Sequence, residues 1–445
     1  MLPTVSLVTL GCPKNEADSS RMQRRLREGG FILVEDPGAA DVVVVNTCSF
    51  IRSATEESLD VILDLADPAP GRARPPKIVV AGCMPSRYGK DLEAELQEAS
   101  AFVPCAREDD IVEVILALEG FDAPEPLVSV HGTGRPDIAA PALGTGRPAA
   151  GPFSPFAYVK LSEGCDRFCS YCTIPLIRGP YHSHPFSAID AEVARLVAGG
   201  TGEVVLIAQD SGRWGEDLPG RPSLSVLLEA LASRYRDTWF RVMYLQPEGV
   251  TEGLLGVMAS FDNICNYLDI PLQHVDASIL AAMNRKGSHK AFAALIGFIR
   301  SKLPNVALRT TLIAGFPGEG EEAHQALCAF VEEAAFDYVG VFPYSREEGT
   351  PAAGMPSQID EETKLARAQE LRDIADAIGF AKVAARRGQD MDVLVCGREE
   401  DGQLYGRAQC QAPEVDGVTY LAAGTPGEIV RVTIGDTLLY EMEGV

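Results

Sequence analysis

Three cysteines lie within eight residues of the chain, spaced as Cys165-x3-Cys169-x2-Cys172. Thiolates are soft ligands, and such crowding is typical of an iron–sulfur cluster, which one loop must hold from several directions. A 4Fe–4S cluster takes four ligands, so three cysteines would leave one iron open to a substrate or a second cofactor. A zinc knuckle or a buried group of cysteines is the alternative, but zinc would need further ligands at finger-like spacing, and none lies nearby.

Residues 1–120 alternate β-branched apolar runs with helical patterns. Continuous apolar strands separated by helices are typical of a parallel sheet in an α/β layer fold. The pattern predicts strands at 5–10, 41–45 and 77–81, and helices that include 16–28 and 54–65.

A cysteine follows each of these strands, at Cys12, Cys48 and Cys83. Parallel strands deliver their loops to one edge of the sheet, where ligands bind, so we expect the three thiols to converge. Three converging thiols predict a second three-ligand cluster site. The alternative is three unrelated small residues, since cysteine also packs well in cores.

Residues 156–380 contain six strand-like runs separated by helical patterns, at 157–161, 203–208, 240–245, 267–270, 306–313 and 338–341. Six βα units predict a partial, open parallel barrel with its site at the carboxyl ends of the strands. Gln209 and Asp210 end the second strand and are candidates for polar contacts to a ligand there. Gly315 and Gly318 follow a later strand, where a backbone without Cβ either approaches a ligand closely or forms a tight turn.

The remaining segments differ in composition. Residues 121–155 are rich in Pro, Gly and Ala and repeat Gly-Thr-Gly-Arg-Pro at 132–136 and 144–148, which predicts a linker. A phosphate-binding role for these glycines lacks the strand-then-helix context that it needs. Residues 383–445 contain short strand candidates separated by glycine-rich turns, at 391–396, 403–409, 419–422 and 428–434, which predicts a small β-barrel.

The charge of the chain restricts its partners. The formal net charge is −24, and from Asp390 onward three basic residues stand against eleven acidic ones. Such a surface repels a phosphate backbone, whereas a basic protein is an electrostatically favourable partner. The alternative is that the charge serves solubility alone.

Several of these motifs resemble those of the radical S-adenosylmethionine (SAM) methylthiotransferases. The Cys-x3-Cys-x2-Cys spacing with Tyr171 before the last cysteine resembles the radical SAM signature, and the C-terminal barrel resembles the TRAM module. Segments 10–15, 46–48 and 81–83 look like the three motifs of the methylthiotransferase N-terminal domain. Further matches are 173–175, 178–179, 268–274, 309–311, 315–319 and 344–351. One position departs from the pattern, since His184 stands where the family usually has arginine.

The resemblance implies the cofactors and their ligands. Cys165, Cys169 and Cys172 would hold a 4Fe–4S cluster whose open iron chelates the amino and carboxylate groups of SAM. Electron transfer to SAM would then release a 5′-deoxyadenosyl radical that removes hydrogen from an unreactive carbon. A second set of cysteines would hold an auxiliary 4Fe–4S cluster tied to sulfur insertion: Cys12, Cys48 and Cys83. A second molecule of SAM would donate the methyl group. His274 remains without an assigned role, because such a histidine is more often structural.

Within the family, the acidic barrel and the run 411–417 resemble the branch that modifies ribosomal protein S-twelve. That branch adds a methylthio group to the β-carbon of an aspartate. The tRNA branch shares the six cysteines, and a non-enzymatic iron–sulfur carrier is an alternative from another class. The acidic barrel argues against the former and the complete (βα)6 unit against the latter. Expected partners are therefore protein S-twelve, an electron donor and a sulfur source, with no membrane and no direct RNA binding.

We expect a cytoplasmic protein, because no signal-peptide pattern opens the chain and no apolar run has membrane-spanning length. Eleven cysteines in that compartment favour ligand or catalytic roles over disulfides. Cys105, Cys265 and Cys328 match no motif, and we expect them to be structural.

Overall fold

The computed structural model describes residues 2–67, 75–118 and 154–445. They form two compact units, the second comprising Ser154–Val445 together with Phe50–Arg52. Apart from Ser154 and Pro155, the predicted linker at 121–155 lies outside the described residues.

A parallel sheet flanked by helices forms the first unit. Its described strands are β1 (Thr4–Thr9), β2 (Ile32–Leu33), β3 (Val42–Thr47), β4 (Lys77–Gly82) and β5 (Ala99–Pro104), in the order β2-β1-β3-β4-β5. Its described helices are α1 (Pro13–Glu28), α2 (Arg52–Ala66), α3 (Cys83–Glu95) and α4 (Ile111–Leu116). All of β3 is buried, because Val42 and Val44 face one apolar core while Val43 and Val45 face another on the opposite side.

The predicted parallel sheet is confirmed, and β1, β3 and β4 lie within two residues of the expected runs. The sequence did not reveal β2 and β5, since β2 has only two residues and β5 mixes small and polar side chains. The three expected strands are neighbours in register, with Thr9 opposite Asn46 and Asn46 opposite Ala81. Their carboxyl ends therefore share one edge of the sheet.

The core of the second unit is an arc of parallel strands. They are β6 (Phe156–Lys160), β9 (Glu203–Ile207), β10 (Trp239–Val242), β11 (Tyr267–Asp269), β12 (Ala307–Ala314) and β13 (Tyr338–Pro343), and a short hairpin of β7 (Ser162–Glu163) and β8 (His182–Ser183) follows β6. Hydrogen bonding divides the arc into β6-β9-β10 and β11-β12-β13. A parallel bridge between Phe240 and Ile264 joins the halves. The predicted partial barrel is confirmed.

Helices cover the outside of this arc: α5 (Ile174–Arg178), α6 (Phe186–Ala198), α7 (Leu224–Arg234), α8 (Glu252–Ser260), α9 (Ala277–Ala282), α10 (His289–Lys302), α11 (Glu321–Ala334) and α12 (Glu361–Ala384). The sequence did not reveal α12, whose buried stripe of Ala368, Leu371, Ala375 and Val383 is diluted by charged residues. None of the described helices has the length and apolar character needed to cross a bilayer.

A closed barrel completes the second unit. Its strands β14 (Asp390–Arg398), β15 (Leu404–Ala408), β16 (Thr419–Leu421), β17 (Ile429–Leu438) and β18 (Glu441–Gly444) pair in the order β14-β15-β16-β18-β17. The expected small barrel is confirmed, although β18 was not predicted. Buried polar contacts attach it to the arc: Glu203 forms an ion pair with Arg407, 2.6 Å away, and Tyr267 donates to Asp416 at 2.5 Å. Glu203 and Tyr267 begin β9 and β11, so the barrel lies at the amino-terminal ends of these strands.

Candidate metal centres

The loop that carries Cys165, Cys169 and Cys172 connects β7 to α5, near the carboxyl end of β6. The Cys165 N–H donates to the Gly179 carbonyl, 3.0 Å away, so the loop and the end of α5 close on each other. Gly164 has φ +72°, and a Cβ there would lie 2.1 Å from the Pro180 oxygen, so only glycine fits. Burial raises the pKa of the Cys172 thiol to about 12, and a metal ion would have to displace its proton.

Residues 282–285, at the end of α9, hold this loop from the outside. Ser170 donates to two carbonyls of the segment, from its N–H at 3.0 Å and from its Oγ at 2.7 Å. Asn284 donates from Nδ2 to the carbonyls of Arg167 and Phe168, at 3.1 and 3.0 Å. Its φ of +57° is a conformation that asparagine tolerates better than most residues. Four hydrogen bonds therefore set the backbone path of the cysteine loop.

Arg285 brings a positive charge to the same thiols. Its Nη2 donates to the Pro271 carbonyl at 2.6 Å, and its side chain also hydrogen-bonds Cys169. Burial opposes the charge, but Tyr171 and Cys169 beside it raise the pKa of the guanidinium overall. A buried cation at this position would offset the negative charge of thiolate ligands. The sequence contained no sign of it, because Arg285 lies more than a hundred residues after the cysteines.

Two buried acceptors lie at the carboxyl end of β9. Asp210 is fully buried and its Oδ2 accepts from Arg167 Nε at 2.7 Å, yet burial still raises its pKa. Gln209 donates to Glu163 Oε1 at 3.4 Å. Within the described part of the chain, Asp210 Oδ1 and Gln209 Oε1 have no hydrogen-bond partner. Buried acceptors normally have one, so these atoms are suited to donors of a ligand such as an amino or hydroxyl group.

Glu163 lies beside Gln209 and was not expected there from the sequence. Its carboxylate contacts Lys160 and lies 3.1 Å from Arg178 Nη1. Burial favours the neutral form, but these two cations hold the pKa of Glu163 well below its usual range. The ionised carboxylate orients Gln209 through the hydrogen bond described above. Arg178 belongs to a motif that the sequence analysis identified, whereas Glu163 has no motif signature.

The other three cysteines follow adjacent strands of the first unit. Cys12 precedes α1, Cys48 comes directly after β3, and Cys83 begins α3 directly after β4. Gly11 has φ +96°, and a Cβ there would lie 2.4 Å from the Cβ of Cys48. The Cys83 thiol is directed at Asn15 Oδ1, 3.7 Å away. The structure thus brings these residues to one sheet edge, as expected; their role as ligands stays a prediction.

Two buried asparagines explain the polar residues of the surrounding motifs. Asn15 donates from Nδ2 to the carbonyls of Leu10 and Thr47, at 2.8 and 2.9 Å. Asn46 donates from its own Nδ2 to the Asn15 carbonyl at 2.9 Å. A Cβ on Gly82 would lie 2.3 Å from Asn46 Oδ1. These contacts fix the three cysteine-bearing loops against one another.

Three further expectations have a structural outcome. His274 is fully buried, its Nδ1 accepts from the Asp276 N–H at 3.0 Å, and its Nε2 lies 3.5 Å from Glu319 Oε2, so it still has no assigned role. A Cβ on Gly315 would meet Lys364 Cγ at 2.4 Å, whereas one on Gly318 would meet nothing within 4 Å. Helix packing therefore explains Gly315, whereas the exposed Gly318 has φ +85° in a turn, where its N–H donates to the Ser357 carbonyl at 3.0 Å. The His184 ring packs edge-on against His182, with centroids 5.9 Å apart.

Three family profiles match successive parts of the chain. The Uncharacterized protein family UPF0004 matches residues 4–104, the Radical SAM superfamily residues 159–331, and the TRAM domain residues 388–445. The first two segments contain one set of three cysteines each.

Relatives match over almost the whole length. The ribosomal protein uS12 methylthiotransferase RimO of Geobacter sulfurreducens is 42% identical, over 99% of this chain and 98% of its own. The protein of the same name from Pelotomaculum thermopropionicum is 41% identical, over 99% and 98%. Among solved structures, the radical S-adenosylmethionine methyltransferase TsrM from Kitasatospora setae, with cobalamin and a [4Fe-4S] cluster bound, has a TM-score of 0.55 and 16% identity. It covers 79% of this chain and 74% of its own, and supports the fold alone.

Proposed function

The chain belongs to the RimO family of ribosomal protein uS12 methylthiotransferases, and from this we propose that it adds a methylthio group to the β-carbon of a uS12 aspartate. The observation that carries the proposal is the presence, in one chain, of two sets of three cysteines. Each set lies at the carboxyl ends of parallel strands, where open α/β sheets and barrels bind their ligands. A cluster carrier would not need two such sites or the barrel.

The residues of the second unit fit an iron–sulfur cluster and SAM. Cys165, Cys169 and Cys172 would hold a 4Fe–4S cluster through soft thiolates, with one iron left for SAM. When bound, the cluster and SAM supply the radical that removes hydrogen from the substrate carbon. Gln209 and Asp210 would receive hydrogen bonds from polar groups of SAM through Oε1 and Oδ1, which are buried and have no partner among the residues that the structure describes. Fixed acceptors in a dry site orient a ligand without the cost of reorganisation.

The protein's own groups also hold the cysteine loop and its charge. Ser170 and Asn284 fix the backbone path, and Arg285 offsets the negative charge of the thiolates. Glu163 remains ionised between Lys160 and Arg178, and so keeps the Gln209 amide in one orientation. Because a misplacement of about 1 Å can cost about a hundredfold in rate, this framework matters for catalysis.

Cys12, Cys48 and Cys83 would hold the second 4Fe–4S cluster, which serves sulfur insertion. The thiols end three adjacent strands and Asn15 lies among them, so the donor set suits a cluster with an open iron. The reaction also needs a one-electron donor and a sulfur source, which we propose as transient partners. A ribosomal substrate further implies that the protein works in the cytoplasm.

The C-terminal barrel supports a basic protein as the substrate. Of its eleven acidic residues nine are exposed, whereas only two of its three arginines are. A cavity of about 470 Å³ on the barrel is lined by Glu399, Asp401 and Glu443 together with Tyr420. The barrel lies at the amino-terminal ends of β9 and β11, away from the cysteine loop, so it would attract and orient uS12 rather than contact the reacting carbon. The same charge disfavours tRNA.

The test is a product assay with reconstituted, reduced enzyme and SAM, offered either small ribosomal subunits or tRNA. The expected result is 5′-deoxyadenosine formation and a mass gain of one methylthio group on a uS12 peptide, located at an aspartate. A methylthio group on tRNA alone would support the tRNA branch instead. Clusters without any 5′-deoxyadenosine would support a carrier.

A further inference from the structure

A third group of metal-ligating side chains lies outside both cysteine sites, on the helical layer of the second unit. His324 and Cys328 are one turn apart on α11, and Glu370 faces them from α12. Their ligand atoms all lie within 4.8 Å of one another, the only such group of His, Cys, Asp and Glu in the part of the chain that the structure describes. His324 and Cys328 are 1% and 5% exposed, while Glu370 reaches solvent.

The geometry points to a binding site for a divalent transition-metal ion, and we propose that His324, Cys328 and Glu370 bind zinc. The Cys328 Sγ lies 3.6 Å from His324 Nε2. A tetrahedral zinc ion with ordinary Zn–S and Zn–N bonds sets these atoms about 3.5 Å apart. One thiolate, one imidazole and one carboxylate form a donor set of intermediate softness, which suits zinc better than calcium or magnesium.

The third ligand needs a small movement. Glu370 Oε2 now lies 2.8 Å from His324 Nε2, a hydrogen-bond distance, and must move back by about half an ångström to share a metal ion. The side chain can do so because half of it is exposed. Its open side also leaves room for a water molecule as the fourth ligand. On binding, the thiol proton leaves to solvent, and the imidazole stays neutral with its one proton on Nδ1, the nitrogen that faces Glu319.

The surroundings favour a cation. Carboxylates of Glu319 and Glu332, besides Glu370, act on the Cys328 thiol. The other ring nitrogen of the histidine, His324 Nδ1, has no hydrogen-bond partner among the described residues and lies 3.9 Å from Glu319 Oε1. Metal-bound histidines usually direct their second nitrogen at such a carboxylate. Arg367 neutralises only part of this negative charge, because it forms an ion pair with Glu319 alone of these carboxylates; its Nη1 lies 3.1 Å from Glu319 Oε1.

Metal binding here would have a structural consequence. It would join α11 to α12, and Glu319 connects the site to the loop after β12, because its Oε2 accepts from the Gly315 N–H at 2.8 Å. The competing interpretation is a chain of hydrogen bonds from Cys328 to His324 to Glu370 that needs no metal. That arrangement would leave Nδ1 of the buried histidine unsatisfied, and it predicts no zinc.

The experiment uses the cluster-loaded enzyme, in which the six cluster cysteines are occupied, exposed to one equivalent of zinc and then gel-filtered. Elemental analysis should find one retained zinc per chain, and zinc K-edge absorption should report one sulfur with nitrogen and oxygen neighbours. Cys328→Ser and Glu370→Gln should lose the zinc, while the control Cys396→Ser, a thiol on the C-terminal barrel, should keep it. Glu370 is half exposed, so its variant tests the site even if Cys328→Ser fails to fold.

Three outcomes would overturn the proposal. The first is wild-type enzyme that retains no zinc. The second is zinc retained equally by Cys328→Ser and Glu370→Gln. The third is an absorption spectrum with three or four sulfur neighbours, which would show that zinc has entered a cluster site instead. A rise in melting temperature on zinc addition, present in the wild type and absent in both variants, would support the link between α11 and α12.

Discussion

Asn284 donates a hydrogen bond from Nδ2 to the backbone carbonyl of Phe168, 3.0 Å away, across 116 residues of sequence. Phe168 lies in the middle of the cysteine loop and has φ +51°, an unfavourable conformation for an aromatic residue. The loop is therefore held in a path that it would not adopt alone. Contacts of this kind set the backbone path between Cys165 and Cys169.

We predict that Asn284→Ala lowers SAM cleavage about tenfold or more, because the loop loses two hydrogen bonds and alanine disfavours φ +57°. Asn284→Gly accepts the positive φ without strain but also lacks the two side-chain hydrogen bonds, so it should recover only part of the activity. The measurement is 5′-deoxyadenosine formation at matched iron content. Asn305→Ala, an exposed asparagine, is the control and should resemble the wild type. Full activity in Asn284→Ala would show that the loop does not need this contact.

Arg285→Gln should make the cluster of the cysteine loop harder to reduce. The change removes a buried positive charge that hydrogen-bonds Cys169, so the reduced, more negative cluster loses stabilisation. Arg285→Lys keeps the charge, and its cluster should have a midpoint potential between those of the wild type and Arg285→Gln. A redox titration followed by electron paramagnetic resonance gives the midpoint potential directly. An unchanged potential in Arg285→Gln would mean that the guanidinium serves only the Pro271 carbonyl.

The two cysteine sets should fail independently. Cys169→Ala should abolish SAM cleavage and lose about half of the iron, while the other cluster remains. Cys48→Ala should keep SAM cleavage and lose methylthio transfer, because sulfur insertion is the role that we propose for the cluster of Cys12, Cys48 and Cys83. Iron content, 5′-deoxyadenosine and product mass are measured on the same samples. Complete loss of iron from Cys169→Ala would contradict separate sites, and retained transfer by Cys48→Ala would contradict the role of that set.

Stability should depend on pH through Asp416. Burial raises the pKa of this carboxyl to about 6, although Arg309, 3.4 Å away, opposes the rise. Asp416 therefore keeps its proton up to about pH 6 in the folded chain but releases it near pH 4 in the unfolded chain. The free energy of unfolding should fall by roughly 2–3 kcal/mol as the pH rises from about 4 to about 6. Asp416→Asn stays neutral and should lose this dependence. The measurement is the melting temperature of both proteins from pH 4 to 7. If the two plots of melting temperature against pH run parallel, Asp416 does not cause the dependence.

The acidic cavity of the C-terminal barrel should affect substrate binding rather than chemistry. Glu443→Lys reverses a charge at the cavity, and we expect KM for uS12 to rise several-fold with kcat nearly unchanged. The effect should shrink at high salt because the attraction is long-range. Glu229→Lys makes the same change at an exposed position of α7 and should have little effect. An equal rise in KM for both variants would indicate net charge alone.

The amino-acid sequence alone predicts much of the fold and the positions of both cysteine sets. The three cysteines of the 165–172 loop are adjacent in sequence, so their spacing alone indicates a cluster loop. Apolar strand runs repeat with helices between them, and the rule that parallel strands end at one edge then brings Cys12, Cys48 and Cys83 together. Several elements were not predicted, among them β2, β5, β7, β8, β18 and α12. Two to four residues, a mixture of small and polar side chains as in β5, or a stripe broken by charges as in α12 gives little periodic signal.

The side chains that surround the cysteine loop come from elements far away in the sequence. Asn284 and Arg285 reach it from the end of α9, and Glu370 meets His324 and Cys328 from a separate helix. These residues meet because their elements pack together. A local sequence pattern does not predict which distant residues come into contact. Spacing along a chain reveals contacts within a loop or across a repeating sheet edge. Contacts between helices and loops far apart in sequence follow from how the elements pack, and are known only once the fold is complete.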